Sequence, residues 1–297
     1  MMEIGKEWDE MQEVKDCSLI LEGGTFRTVF TAGVLDALME EQIKMPYIAA
    51  ISAGAINAVS YMSNQPERTM RVLTTYRNDP RYMGMRNFLK EKSLFGLDFA
   101  YNIVPNQLDL FDWDAYYNYP GEVEFGLTNA YTGKVEYKSA HTMTKTCDIL
   151  QATCAIPILF PEIKIDNIPY YDGGLSDSIP IKRAIEKGYN KHLLILTREP
   201  GYIKSASKTN QWATKLFQKR YPRLAAAMRH RADMYNETMQ YIAQKETEQE
   251  AFIFKPDRPI KSFESKVDQM KANYEVGYEQ AQKQMRELKA FLGISSN

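Results

Sequence analysis

The sequence predicts an α/β fold with a mostly parallel central sheet and a helical C-terminal extension, and three observations carry that prediction. Two apolar runs, Cys17 to Leu21 and Tyr47 to Ile51, are each followed by a turn of small residues and then by a segment with helical spacing. A third apolar run, His192 to Thr197, follows a segment that reads as a helix, and most of the chain beyond it has helical character. Strand, turn and helix repeated in this order make a parallel crossover the simplest topology. At 297 residues the chain suits one large α/β domain with extensions.

Taken in order, a charged leader over residues 1–16 precedes the first strand, which Glu22-Gly23-Gly24-Thr25 ends abruptly. From Phe30 to Ile43, Phe30, Val34, Leu35 and Leu38 share one helical face. Tyr47 to Ser60 then passes from a buried strand through Ile51-Ser52-Ala53-Gly54 straight into a helix, and Ala50, Ala53 and Gly54 supply the small side chains that a crowded corner needs. Ser63 to Trp113 mixes aromatic and methionine residues with charges and reads as helices and loops over one side of the sheet's carboxyl edge, where a substrate wall or plain packing would lie. Glu122 to Ala130 and Lys134 to Lys138 alternate about Thr132-Gly133, the pattern of an antiparallel hairpin. Cys147 to Ala155 is a short helix ended by Ile156-Pro157. Ile163 to Ile165 and Ile168 to Tyr171 flank Asp166-Asn167 as a second hairpin that runs into Asp172-Gly173-Gly174. Pro180 to Lys187 carries proline in the first turn of a helix. Further helices are expected over Asn210 to Arg229, Asp233 to Thr247 and Lys266 to Phe291, with a strand over Ala251 to Lys255. The expected division is a polar leader 1–16, an α/β unit 17–200, and a mostly helical region 201–297 packed on it.

Global charge says little about partners. A net charge of -1 argues against a nucleic-acid binder. Three cysteines, Cys17, Cys147 and Cys154, are odd in number and widely spaced, which fits neither a disulfide framework nor a zinc site and points to a reducing cytoplasm. No apolar run is long enough to span a bilayer, and the N-terminal segment lacks the apolar core of a secretory signal. Membrane contact would therefore be peripheral, at the inner surface. Its candidate is the stretch 204–231, rich in lysine and arginine without an acidic residue, with Trp212, Leu216, Phe217 and Tyr221 interleaved. That stretch reads either as a basic amphipathic surface for anionic lipid or as a solvated helix packed on the domain.

Hydrolysing an acyl ester needs a nucleophile, a base, and hydrogen-bond donors where the carbonyl oxygen becomes negative. Ser52, at a strand-to-helix corner, is the candidate nucleophile; alone, it reads equally as a helix cap. The Gly23-Gly24-Thr25 turn offers backbone N–H groups for an oxyanion hole, with a phosphate cradle or a plain turn as the alternatives. The spacing of a dinucleotide or nucleotide phosphate loop is missing. His141, His192 and His230 are the only histidines, and none sits in a glycine-bounded loop. Asp172 is the better candidate base, because it ends a strand and Gly173-Gly174 lets the backbone fold closely around a reacting site; the alternative is a plain turn.

This set resembles the patatin-like phospholipase family. Glu22-Gly23-Gly24-Thr25-Phe26-Arg27-Thr28 is similar to its Gly-Gly-Gly-x-Arg/Lys-Gly oxyanion motif, Ala50-Ile51-Ser52-Ala53-Gly54 to its Gly-x-Ser-x-Gly nucleophile motif, and Asp172-Gly173-Gly174 to its Asp-Gly-Gly/Ala motif. The segment ATCAIPILFPEIKIDNIPYYDGG and the C-terminal Tyr274 to Ala281 extend the resemblance from about Leu19 to Ala281. It implies a three-layer α/β/α sandwich and a Ser-Asp dyad, with Ser52 attacking and Asp172 as proton acceptor. It further implies hydrolysis of phospholipid, lysophospholipid or simpler lipid esters through an acyl-enzyme, with no metal and no cofactor. Arg27 holds the family's basic position, either fixing the glycine turn or facing a lipid phosphate. Thr25, Thr28 and Ala50 stand where the family has glycine. Thr25 weighs most, because a β-branched residue tolerates a left-handed backbone poorly. A non-catalytic lipid-binding or regulatory protein with a drifted oxyanion loop is thus the rival reading, and acyl transfer to an acceptor other than water is a third. Oligomeric state, head-group choice and acyl-chain preference are not legible.

Overall fold

The computed structural model describes residues 12–206 and 208–294, and all structural statements below concern these. Most of the expected leader lies outside them. Eight strands form one sheet: β1 (Cys17–Leu21), β2 (Tyr47–Ile51), β3 (Glu122–Asn129), β4 (Val135–Ser139), β5 (Ile163–Ile165), β6 (Ile168–Asp172), β7 (Lys191–Ile195) and β8 (Ala251–Phe254). Five run parallel in the lateral order β8, β7, β1, β2, β3. The strands β4 and β6 pair antiparallel with β3, and β5 with β6. In chain order the helices are α1 (Val29–Glu40), α2 (Ala53–Met62), α3 (Arg68–Tyr76), α4 (Met85–Glu91), α5 (Trp113–Tyr117), α6 (Asp148–Thr153), α7 (Ile181–Glu186), α8 (Lys208–Phe217), α9 (Pro222–Thr247) and α10 (Val267–Leu292), with a π-helix over Phe99–Leu108.

Every residue of β1 and β2 is buried, as parallel strands covered on both faces require. Alternate residues sort into two cores. Leu19, Leu21, Ile48, Ala50, Leu193 and Ile195 face α1, α2 and α10. Ile20, Tyr47, Ala49, Leu194 and Leu196 face α7 and α9 through Ile181, Ala184, Tyr235 and Ile242. The result is a helix, sheet, helix sandwich. Its outermost parallel strand, β8, comes from the C-terminal region, so that region completes the sheet as well as covering it.

Expected and observed elements differ in one boundary of consequence. The helices expected over Asn210 to Arg229 and Asp233 to Thr247 meet at Pro222 instead: α8 ends at Phe217 and α9 runs unbroken to Thr247. Proline suits the first turn of a helix, where its missing N–H forfeits no bond, and nothing between Arg229 and Asp233 breaks one. The Asp166-Asn167 hairpin forms as expected, with both residues at positive φ (51° and 64°), the signature of a type I′ turn.

The helix α10 crosses α1 at two facing glycines. A methyl group on Gly33 would lie 2.2 Å from the Tyr274 carbonyl oxygen, and one on Gly277 would lie 2.2 Å from that of Phe30. Backbone meets backbone here, and the neighbouring Tyr274 hydroxyl donates to the buried Asp36 carboxylate at 2.7 Å. Because α1 directly follows the glycine turn, this crossing also fixes the floor of the site. Gly277→Ala is expected to destabilise the protein by about 1–3 kcal/mol through overpacking, read as a lower urea midpoint at unchanged slope.

Candidate active site

The corner at Ser52 is strained. Its φ of 54° and ψ of -129° lie in a region that a non-glycine residue occupies at a cost of about 1–3 kcal/mol. What holds it there is a threonine 101 residues away in sequence: the Ser52 N–H donates to Thr153 Oγ1 at 2.9 Å. The Thr153 hydroxyl in turn donates to the Gly126 carbonyl of β3 at 2.7 Å. The side chain of Ser52 makes no cap bond to α2, although the residue stands at the N-cap. Its hydroxyl donates instead to Asp172 Oδ2 at 2.6 Å.

Register explains how Asp172 arrives. Glu124 to Gly126 of β3 pair with both β2 and β4, so those two strands lie on opposite edges. Leu127 and Thr128 pair with both β4 and β6, so β6 occupies the same edge as β2. Ile51 pairs with Gly126, and Asp172 pairs with the next residue, Leu127. Two strands of opposite direction thus stop end to end, one delivering Ser52 and the other Asp172. Gly173 makes the junction possible, since a methyl group there would lie 2.1 Å from the Gly126 oxygen.

The Asp172 carboxylate is fully used. Oδ2 accepts from Ser52 and Oδ1 from the Gly174 N–H at 2.8 Å. Its backbone is pinned as well: the N–H donates to Ala155 O at 2.9 Å, and the carbonyl accepts from the Thr128 hydroxyl at 2.8 Å. Burial pushes its pKa above the ordinary aspartate value, against the opposing pull of the Ser52 hydrogen bond, the Arg231 charge, the Gly174 N–H and the Lys204 charge. Arg231, on α9, donates from Nε to the Gly174 carbonyl at 2.6 Å and so braces the turn that carries Asp172.

Opposite Ser52 lies the glycine turn. A methyl group on Gly23 would stand 2.9 Å from Ser52 Cβ, so only glycine lets this backbone approach the corner. The N–H groups of Glu22, Phe26 and Arg27 donate to Ile195, Ser262 and Gly24 respectively. Those of Gly23, Gly24 and Thr25 donate to no described residue. Thr25 adopts the left-handed backbone, with φ at 51°. Its hydroxyl lies 2.6 Å from Gly24 O and 2.5 Å from Ser262 O, and Thr28 donates to the Thr25 carbonyl at 2.8 Å. Two threonines therefore hold by side-chain bonds a turn that glycines would form by conformational freedom. Arg27 is buried and donates to the Thr197 hydroxyl at 3.3 Å and to the Ser262 hydroxyl, tying the same turn to the segments behind it. Gly54, in the first turn of α2, packs against the Leu21 and Glu22 carbonyls.

Ser52 opens on two chambers of opposite character. One, of about 130 Å³, is apolar, and the 63–113 segment supplies much of its wall, including Leu73, Phe95, Tyr101, Val104 and Trp113. The other, of about 220 Å³, is polar and carries the glycine turn, Asp172, Arg27, Arg198, Lys204 and Arg231. Thr25, Ser52 and Ile156 line both. The histidines stand elsewhere: His141 bonds Gly121 O at 3.0 Å, His192 bonds Ser18 Oγ at 2.8 Å, and His230 is exposed on α9. Sequence reasoning missed Thr153 and Arg231. Thr153 carries no motif of its own, and Arg231 is one basic residue among many in a stretch whose overall composition drew attention.

Known proteins resemble the chain in two regions. A family model described as patatin-like phospholipase matches residues 19–185, and one described as a domain of unknown function (DUF6363) matches residues 221–293. An uncharacterized protein of Escherichia coli K12, YjjU, is 26% identical over 280 residues, which are 88% of this chain and 74% of that protein. The crystal structure of VipD from Legionella pneumophila aligns over 92% of this chain and 67% of that one, at a TM-score of 0.43 and 13% identity. Among the described residues, no helix is long and apolar enough to cross a membrane.

The Thr153 relay is testable on its own. Thr153→Val keeps the shape but removes the hydroxyl that accepts from the Ser52 N–H and donates to the Gly126 carbonyl, at an expected cost of about 1–3 kcal/mol. Chemical denaturation of the variant beside wild type measures it.

Proposed function

From its membership of the patatin-like phospholipase family, we propose that this chain is a serine acyl-ester hydrolase that cleaves (lyso)phospholipids or related lipid esters. The observation that carries the reading is the 2.6 Å hydrogen bond from the Ser52 hydroxyl to the Asp172 carboxylate, at a strained corner beside a glycine turn whose N–H groups donate to no described residue. Asp172 takes the Ser52 proton as Oγ attacks the ester carbonyl. The N–H groups of Gly23, Gly24 and Thr25 then hold the developing oxyanion. Collapse expels the alcohol, which receives the proton from Asp172, and leaves Ser52 acylated. Water, deprotonated by Asp172, hydrolyses the acyl-enzyme and restores the serine. The apolar chamber takes the acyl chain.

The rival reading, a lipid-binding or regulatory protein with a drifted oxyanion loop, rested on the threonines at 25 and 28. Thr25 has the left-handed backbone that its glycine counterpart adopts freely, and its side chain and that of Thr28 are spent on holding the turn. Both features support the hydrolase. Approach to a lipid surface is supported by Ile203, Trp212 and Leu216, which are 76%, 59% and 58% exposed within or beside the basic stretch. That surface is the inner face of the cytoplasmic membrane in this reading.

A fluorophosphonate probe is expected to label wild type at Ser52 and to leave Ser52→Ala unlabelled; absence of label from wild type would count against the assignment. Asp172→Asn is expected to lower kcat on a p-nitrophenyl ester by about 10²–10⁴-fold, the usual contribution of a general base. Asp172 works only when ionised, and its pKa is raised. The acid limb of kcat/KM therefore lies above the ordinary aspartate value of about 3.9, with activity rising as pH increases through it. A pH–rate profile of wild type measures that limb.

A further inference from the structure

We infer that the polar chamber beside Ser52 is a phosphate site that selects lipid esters with anionic head groups, and that the C-terminal region builds part of it. This rests on the hydrolase reading for its substrate, but the binding chemistry stands on its own geometry. Four cationic side chains, Arg27, Arg198, Lys204 and Arg231, line the chamber with two carboxylates, Glu22 and Asp172. Both carboxylates accept hydrogen bonds from groups other than these cations while still attracting them, Glu22 acting on Arg27 and Lys204, and Arg231 and Lys204 acting on Asp172. Glu22 Oε2 accepts from the Thr197 N–H at 2.6 Å, and Asp172 serves Ser52 and Gly174. Among the described residues, none of the four cations forms an ion pair.

Aromatic faces hold two of these charges in place of carboxylates. The Arg198 guanidinium lies 4.1 Å above the Tyr202 ring, and Lys204 Nζ lies 3.9 Å above that of Tyr235. The Arg198 Nε is buried and has no hydrogen-bond partner. A buried donor left open in this way is costly unless a ligand completes it. Lys204 is pushed down to about 7 by burial and by Arg231, with Arg27 and Arg198 adding to the effect and Glu22 opposing it. Four cations against two carboxylates leave an excess of positive charge in the chamber, which an anion relieves.

Position supplies the rest. Ser52 stands between the apolar chamber and this one, so a bound ester spans both, with its acyl chain on one side and its alcohol portion on the other. A phosphate on that alcohol meets Arg198, Lys204 and Arg231. A choline ammonium in the same place meets like charge. Arg198 and Lys204 lie beyond the residues matched by the patatin-like model, and Arg231 lies within the matched domain of unknown function. Head-group choice is thereby a task of the chain's second half.

The test compares lysophosphatidic acid, lysophosphatidylcholine and monoacylglycerol of one acyl chain as substrates of wild type, Arg198→Gln, Arg198→Lys and Lys204→Gln. Wild type is expected to favour lysophosphatidic acid over the other two by about 10-fold or more in kcat/KM, the size of one charged hydrogen bond. Arg198→Gln and Lys204→Gln each shrink that ratio severalfold through KM, and Arg198→Lys recovers part of it. Equal kcat/KM for the three esters in wild type overturns the inference while leaving the hydrolase reading intact. Calorimetry on Ser52→Ala covers the converse case, in which no ester is cleaved. There, lysophosphatidic acid is expected to bind at least about 10-fold more tightly than monoacylglycerol, with inorganic phosphate weaker than either lipid. Equal affinity for the two lipids, or inorganic phosphate binding as tightly as lysophosphatidic acid, refutes a head-group site.

Discussion

The site depends on one constraint: two strands of opposite direction end against each other along a single edge of β3. Because β2 leaves that edge at Gly126 and β6 enters it at Leu127, the residues at their tips are forced within hydrogen-bond reach. Neither tip has room to relax. Gly173 touches the β3 backbone, Gly23 touches Ser52, and Thr153 bridges the Ser52 N–H to the Gly126 carbonyl. The 2.6 Å contact between Ser52 and Asp172 is thus set by sheet register rather than by flexible side chains. Support of this kind holds two side chains to a narrow geometric tolerance.

The C-terminal half enters at two distances. At the far side, α10 locks α1 through the crossing of Gly33 and Gly277, and α1 carries the glycine turn at its start. At the near side, α9 lays Arg231 on the Gly174 carbonyl, so a helix outside the patatin-like match braces the aspartate turn. Between them β8 extends the sheet. Removing this half would expose the edge of β7 and take Arg198, Lys204, Arg231 and Ser262 out of the polar chamber's lining.

The sequence is most legible where the candidate site compresses into short motifs. Ser52, Asp172 and the Gly23-Gly24 turn each announce themselves within a few residues, and the parallel strands show as uninterrupted apolar runs because both of their faces are covered. What stays hidden is contact across long separations. Thr153 reaches Ser52 over 101 residues, and Arg231 reaches Gly174 over 57, with no local pattern to mark either. Composition also misleads. The basic stretch 204–231 reads as one surface, yet Lys204 and Arg231 turn inward to the chamber while Trp212 and Leu216 face solvent. Pro222, rather than the expected gap between Arg229 and Asp233, marks the helix boundary inside that stretch.

Thr25 shows how a departure from a motif can leave its geometry in place. Glycine enters the left-handed region without steric cost, whereas a β-branched residue there needs outside support. Support is present: the Thr25 hydroxyl reaches Ser262 O, Phe26 N–H donates to the same oxygen, and Thr28 closes on the Thr25 carbonyl. Arg27 adds a tie to the Ser262 side chain. Ser262 lies in the loop between β8 and α10, so the turn is held partly from the C-terminal half and partly by bonds among its own residues. A glycine motif can drift in this way only where another part of the chain has taken over the restraint. The residues at 25 and 28 are therefore read together with Ser262, as one coupled arrangement.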